Sequence, residues 1–333
     1  MWKNVGNAGF SEGEAVYTNI VFSPSDGQPY VAYSDLMNSS KVTVMKFDGT
    51  NWVNVGIAGF SAGAVFFTSL AFSLSGQPYV VYSDSNYSQK TTVMKFDGTN
   101  WMNVVNAGFS AGRVDYTSLA FSPTDGQPYV AFMDSWDSLK ATVMKFDGTN
   151  WVNVGNAGFS AGTAEYTNLA FSPSGQPYVV YSDWVNSYKA TVMKFDGTNW
   201  VNVGNAGFST WRANYTSLAF SPTNQPYVAY QDLGNSYKAT VMKYDSVYIG
   251  INEPLESKLN LYPNPASTQV TIEASAIPTK SQLSIMNLNG QQLITRQITE
   301  PKTQIDISIL PAGVYFVRMM GERTVEVGKF VKQ

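Results

Sequence analysis

Hydrophobic and polar residues alternate along most of the chain in runs of about five to eight, each closed by Gly, Asp, Asn or Pro. A period of two is the signature of a half-buried strand, and no stretch keeps the 3.6-residue spacing of an amphipathic helix. Up to Asp245 the runs recur as one unit. Trp2, Trp52, Trp101, Trp151 and Trp200 are spaced by 50, 49, 50 and 49 residues. Each opens a Trp-x-Asn-Val segment, followed by "AGFS" and then by close variants of "YTSLAFSP", "GQPYVAYSD" and "KATVMKFDGTN".

Each copy predicts four strands. In the fourth they are A, Tyr166–Ser172; B, Pro177–Ser182; C, Lys189–Phe195; and D, Trp200–Val203. Copies one and three read "SDGQP" or "TDGQP" where copies two and four read "SGQP". A one-residue length change at a Gly-containing turn marks a hairpin loop. Four-stranded antiparallel units repeated about every 50 residues predict an all-β fold, a β-propeller with one blade per repeat. The chain starts on a lone D strand, Trp2–Val5, and its fifth copy stops after strand C, Lys238–Tyr244. A five-bladed ring over residues 1–246 follows if Trp2–Val5 completes the fifth blade and removes two sheet edges. An open array cut from a longer protein is the alternative.

A four-strand meander puts the A–B and C–D turns on one face and the B–C loops and D–A crossovers on the other. The first face is nearly invariant between copies, with "SPSGQP" and "FDGTNW" turns. "FDGTNW" resembles the Asp-box turn of sialidase-type propellers, at a different spacing. The second face varies, and loops on a rigid scaffold are where binding sits. It carries Tyr87, Trp136, Trp184, Tyr188, Trp211 and Tyr237, above a ring of Asp35, Asp84, Asp134, Asp183 and Asp232 that closes strand B in every copy. Aromatic faces against sugar C–H surfaces, with carboxylates gripping hydroxyls, suit a carbohydrate. The competing reading is that the Asp residues cap their own loops and the rings only pack. The repeat layout resembles five-bladed lectins of the tachylectin type, which implies several equivalent sugar sites acting together on a polymer.

Composition narrows the chemistry. The chain has no histidine and no cysteine. Ser-His-Asp and Cys-His catalysis, His-ligated zinc and disulfides are thereby excluded. A net charge of −3 without any Lys/Arg run offers no footprint for nucleic acid. No apolar run is long enough to span a bilayer as a helix. Residues 1–246 contain only Arg113 and Arg212, too few for a sialidase carboxylate clamp. A carboxylate-pair glycosidase needs no histidine, and Glu12, Glu14, Asp115, Asp137 and Glu165 are its only candidates. The near identity of the copies argues against one asymmetric catalytic pocket, so the expectation is a binding protein and not an enzyme. No cofactor or metal is expected; a calcium role for the Asp ring is a minor alternative, since no Ca²⁺-binding spacing occurs.

After a linker at 247–257 the grammar changes. Residues 258–333 predict about seven short strands in a small Ig-like β-sandwich, with turns at Pro263–Pro265, Asn289-Gly290 and Pro311–Gly313. The pieces "LYPNPAS", "NLNGQQL", "IDISILPAGVYFVRM" and "GKFVKQ" come in the order of the type A C-terminal sorting domain of the type IX (Por) secretion system of Bacteroidetes, which this segment resembles. The resemblance places Pro263, Asn264, Pro265, Gly290, Gly313, Tyr315, Lys329 and Lys332 in the sorting motif. It implies export to the outer-membrane surface or the medium of a Gram-negative bacterium, with the secretion machinery as a partner. Such cargo carries a signal peptide, and "MWKNVGNAGF" does not read as one, so a truncated or processed form is expected. The functional expectation is a monomeric, multivalent glycan-binding propeller; the alternative is a protein-directed adhesin or scaffold.

Overall fold

The computed structural model describes residues 1–245, 259–274, 281–288, 291–320 and 325–333. The expected linker at 247–257 and the Asn289-Gly290 turn lie outside them. The chain divides into two compact units, 1–246 and 247–333.

The first unit is a propeller-like series of antiparallel blades. Blade 1 is β1 (Ala15–Phe22), β2 (Pro29–Asp35), β3 (Lys41–Phe47) and β4 (Trp52–Asn54). Blade 2 is β5 (Val65–Phe72), β6 (Pro78–Asp84), β7 (Lys90–Phe96) and β8 (Trp101–Asn103). Blade 3 is β9 (Val114–Phe121), β10 (Pro128–Asp134), β11 (Lys140–Phe146) and β12 (Trp151–Asn153). Blade 4 is β13 (Ala164–Phe171), β14 (Pro177–Asp183), β15 (Lys189–Phe195) and β16 (Trp200–Asn202). Blade 5 has three strands, β17 (Ala213–Phe220), β18 (Pro226–Asp232) and β19 (Lys238–Lys243). Within each blade the strands pair in sequence order.

Strand A begins two residues earlier than its sequence pattern suggests. In blade 4, Ala164 and Glu165 pair with Asp183 and Ser182 before a bulge breaks the register ahead of Asn168. The bulge disturbs the alternation of side chains, so the pattern becomes regular only after it. The C–D turn is held by one carboxylate: Asp147 Oδ1 accepts the backbone N–H groups of Thr149 and Asn150, each at 2.8 Å. Gly148 supplies the left-handed φ of +101° that the turn requires.

Blades are joined by buried apolar faces. Val42 and Val44 of blade 1 meet Leu70, Val80 and Tyr82 of blade 2 in one core cluster, and equivalent clusters join each later pair. A buried Val or Leu stabilises by about 1.5–3 kcal/mol, so each interface contributes substantially. A second device ties the outermost strand in place. The Trp200 ring stacks on Phe159 of the incoming crossover at 4.3 Å, and its indole N–H donates to the Val154 carbonyl at 2.7 Å. Trp52, Trp101 and Trp151 repeat this on Phe10, Phe60 and Phe109, donating to Val5, Val55 and Val104.

The expected closing strand is not formed. Trp2–Val5 is not a strand here, the Trp2 side chain is fully exposed, and β19 has no fourth strand beside it among the described residues. Among the described residues, blade 5 therefore has three strands.

The second unit holds two sheets, β20-β21-β24 and β23-β22-β25-β26, formed by β20 (Leu259–Tyr262), β21 (Gln269–Ala274), β22 (Ser281–Met286), β23 (Gln292–Ile298), β24 (Lys302–Asp306), β25 (Gly313–Met320) and β26 (Val325–Lys332). Val270, Ile272 and Ile305 of the first sheet and Leu283, Ile285, Val317 and Phe330 of the second share one core. That common core makes the unit a β-sandwich.

Trp200→Ala removes the stacked ring and the indole hydrogen bond together. It is expected to destabilise the first unit by about 3–5 kcal/mol, measured by denaturant unfolding; a loss below 1 kcal/mol would show that the staple is dispensable.

Candidate functional site

The variable face is built from two loops per blade, the B–C turn and the crossover into the next strand A. Each B–C turn starts at the Asp that ends strand B. Asp183 accepts the Val185 N–H at 3.2 Å on Oδ1, and the Asn186 side-chain amide and Thr191 hydroxyl at 2.8 Å on Oδ2. Asp35 and Asp232 make the same three contacts in blades 1 and 5. In blades 1, 2, 4 and 5 the next residues form a short 3-10 turn, and two successive left-handed residues return the chain to strand C, Ser187 and Tyr188 in blade 4.

All five Asp residues are buried, and their carboxylates are spent on the turn beneath the loops. Blades 2 and 3 differ. Tyr87 and Asp137 stand where the others have Asn, and Asp84 Oδ2 is left without a hydrogen-bond partner. Burial pushes the Asp84 and Asp134 carboxyls above their ordinary value.

The aromatic candidates lie above this scaffold. Trp136, Trp184, Trp211 and Tyr237 are 76%, 56%, 58% and 61% exposed. Tyr87 is exposed and Tyr188 half-buried. Several are braced by glycines of the adjoining loop. A Cβ on Gly108 would lie 2.7 Å from Tyr87 Cβ, and one on Gly234 would strike the Trp211 ring. The Arg212 guanidinium lies over the Tyr188 ring at 4.2 Å, pairs with Glu165 at 3.1 Å and donates from Nε to Asn214 Oδ1 at 2.8 Å. Arg113 pairs with Asp115 at 3.0 Å. Two of the named carboxylates are therefore engaged by the two arginines. No group of three or more acidic residues that could hold a metal ion occurs among the described residues.

One feature of this end of the blades escaped sequence reasoning. Tyr17, Phe67, Tyr116, Tyr166 and Tyr215 sit at the strand A bulge, each with a left-handed φ of 51–56°. Bulky residues rarely adopt that conformation, which costs about 1–3 kcal/mol and tends to mark functional positions. Their rings form a ladder across all five blades, with successive centroids 5.0, 4.9, 4.7 and 4.7 Å apart. Burial, with added repulsion from Tyr166, Glu165 and Asp115, pushes the Tyr116 hydroxyl far above its ordinary value. The available signal was an aromatic residue before Thr in every strand A, which reads as ordinary strand composition.

In the second unit, Pro263 and Pro265 both follow cis peptide bonds. Asn264 between them joins the last strand: its side-chain amide donates to the Lys329 carbonyl at 3.1 Å, and its Oδ1 accepts the Val331 N–H at 2.9 Å. The Tyr315 hydroxyl donates to the Pro311 carbonyl at 2.8 Å, and its ring stacks on Phe330. Gly313 pairs with Lys332, while Lys329 is exposed. Gly290 lies outside the described residues.

Residues 260–333 match the family described as the secretion system C-terminal sorting domain. The segment is such a domain, and it indicates export by the type IX machinery to the cell surface or beyond. No curated protein matches the chain. Among solved structures it is similar to PorZ, an essential bacterial surface component of the type-IX secretion system of Porphyromonas gingivalis, with 12% identity and a TM-score of 0.40 over 99% of this chain and 53% of that one. The chain thus spans about half the length of PorZ. It is also similar to an α-L-arabinanase of Penicillium chrysogenum complexed with arabinobiose (15% identity, TM-score 0.48, covering 68% and 76%). A third is an exo-β-1,3-galactanase of Phanerochaete chrysosporium (11% identity, TM-score 0.45, covering 98% of each). These neighbours correct the expectation that the chain is not an enzyme: glycan-cleaving enzymes stand among the structures it resembles, and that reading is dropped.

Asp183→Asn leaves one oxygen to do the work of two and is expected to cost about 1–3 kcal/mol in unfolding experiments. Asp84→Asn, with no Oδ2 partner to lose, is expected to cost less. Because burial raises Asp84, the folded state holds a proton that the unfolded carboxyl, near 3.8, has already lost. Its contribution to stability therefore grows as pH falls from the raised folded value towards 3.8, and Asp84→Asn should remove that increment from the stability–pH profile.

Proposed function

We propose that the exported first unit binds glycans through its variable loop face, using several exposed aromatic residues at once. The observation that carries this reading is the set of exposed rings on one face, Trp136, Trp184, Trp211 and Tyr237, of which Trp184 and Trp211 lie against loop glycines. Large exposed aromatics on a polar surface mark interaction sites, because their burial by a ligand is favourable and their rotamers are already restricted. The acceptors a sugar needs come from the rim, from Glu165 and Asn214 around Arg212, while the buried Asp ring keeps each loop in shape. Five copies of one loop pair on one array favour a polymer, whose second and later contacts are intramolecular.

A second reading, cleavage of the bound glycan, is favoured by one observation: Asp115 and Glu165, at equivalent positions in adjacent blades, both add to the burial and the Tyr166 neighbour that push the Tyr116 hydroxyl upward. A carboxylate pair across a scissile bond is the minimum a glycosidase needs.

The full chain should bind selected polysaccharides on a glycan array, and polymers more tightly than their monosaccharides. Trp184→Ala and Trp211→Ala should each weaken binding about tenfold, the scale of one lost aromatic contact near 1.4 kcal/mol. Reducing-sugar release assayed on the same ligands separates binding from cleavage, and Glu165→Gln should abolish any release. A blank array from folded protein would sink the glycan reading and favour a protein ligand.

A further inference from the structure

The rungs of the ring ladder at the strand A bulges differ in chemistry. Phe67 stands where other blades have Tyr17, Tyr116, Tyr166 and Tyr215, so the rings beside Tyr17 are those of Phe66 and Phe67. Tyr116, Tyr166 and Tyr215 follow in unbroken succession. Each centroid lies 4.7 Å from the next, with the planes tilted by 49° and 51°. Their hydroxyls adjoin as well. Burial is the first cause that raises Tyr116 and Tyr166 above the ordinary phenol value, and the next is a neighbouring hydroxyl, that of Tyr166 for the one and of Tyr215 for the other.

The backbone holds this arrangement. The left-handed φ is 56° at Tyr116, 55° at Tyr166 and 51° at Tyr215, a conformation that is costly for a bulky side chain. The Tyr116 carbonyl accepts the Thr167 hydroxyl at 2.5 Å, and the Tyr166 carbonyl accepts the Thr216 hydroxyl at 2.6 Å. Close by, Ser118 Oγ accepts the Leu169 N–H at 3.0 Å and Asn168 Oδ1 accepts the Leu218 N–H at 2.8 Å. Blades 3, 4 and 5 are thus pinned to one another beside the tyrosines. Rings held together in this way need little further ordering to react.

We infer that Tyr116, Tyr166 and Tyr215 form an oxidative modification site, at which Tyr166 couples with Tyr116 or Tyr215 into a dityrosine that joins two blades covalently. The chain is exported but has no cysteine, so no disulfide can staple its blades. The oxidant is extracellular peroxide acting through a haem peroxidase, and it enters at Tyr215, which is 66% exposed. Each coupling ring gives up one electron and one proton. Because burial favours the neutral phenols of Tyr116 and Tyr166, electron and proton leave together. The two phenoxyl radicals join through carbons ortho to their oxygens, and each ring regains aromaticity as its ortho hydrogen moves to oxygen. One hydrogen peroxide takes up the two electrons and two protons and becomes two waters. The bond closes a loop of 50 or 49 residues, which restricts the unfolded chain and so stabilises the blades it joins.

The test treats the dilute full chain with hydrogen peroxide and a haem peroxidase, then digests it with trypsin. Residues 114–140, 146–189 and 213–238 fall in separate peptides, so mass spectrometry reads each bond as two peptides joined with the loss of two hydrogens. Links 116–166 or 166–215 are expected in protein that stays monomeric on a denaturing gel. The linked monomer should unfold at higher denaturant than the untreated chain. Tyr166→Phe removes the phenol common to both pairs, and Phe67 shows that the position accepts a ring without a hydroxyl. This variant should lose the monomer's dityrosine fluorescence and the shift in unfolding, while Tyr17→Phe should leave both unchanged. Dityrosine formed only between molecules, or a monomer signal indifferent to Tyr166→Phe, would overturn the proposal. So would the absence of dityrosine under conditions that couple free tyrosine.

Discussion

The contact on which this architecture depends is the indole of each strand D held between a Phe ring and a Val carbonyl of the crossover before it. A three-residue outer strand such as Trp200–Asn202 has too few ladder hydrogen bonds to stay paired alone. Stacking on Phe159 and donation to Val154 anchor it to chain that entered the blade some 46 residues earlier. The incoming crossover is thereby fixed at the same point, and the start of strand A follows from it. One aromatic pair and one hydrogen bond thus set blade height, crossover path and register with the neighbouring blade.

With that framework in place, the loop face is released from structural duty to an unusual degree. Its turns are closed from beneath by buried carboxylates, and the rings of Tyr87, Trp184 and Trp211 lean on glycines, so side chains above that layer can change without disturbing a core. The strain of the bulge tyrosines lies at the same end. The opposite face, tied by Asp147 and its equivalents to backbone N–H groups, has no such latitude.

Much of the fold was legible because repetition turns one sequence into five readings of the same unit. The Trp spacing, the one-residue change at the A–B turn and the seven strands of the tail could all be read from alternation and turn residues. What could not be read depends on orientation. Asp183 at a strand end looks the same whether its carboxylate faces a ligand or its own turn, and the three groups it satisfies converge only after folding. Tyr116 looks like a strand residue because a bulge is defined by the register of two strands. Whether the ends of the array meet depends on the small rotation between blades, which no single repeat encodes. The sorting tail was legible for a different reason: Asn264 must meet the last strand, so its neighbours and the terminal residues appear together as a motif.

The equivalence of the blade interfaces has a consequence for the gene. Where each interface is the same set of Val, Leu, Phe and Trp contacts, an in-frame gain or loss of one unit leaves every remaining junction intact. Near-identical tandem segments are also those most prone to unequal recombination. Such a lineage can lengthen or shorten its array in single steps, each new unit arriving with a stable core and a fresh pair of loops to diversify.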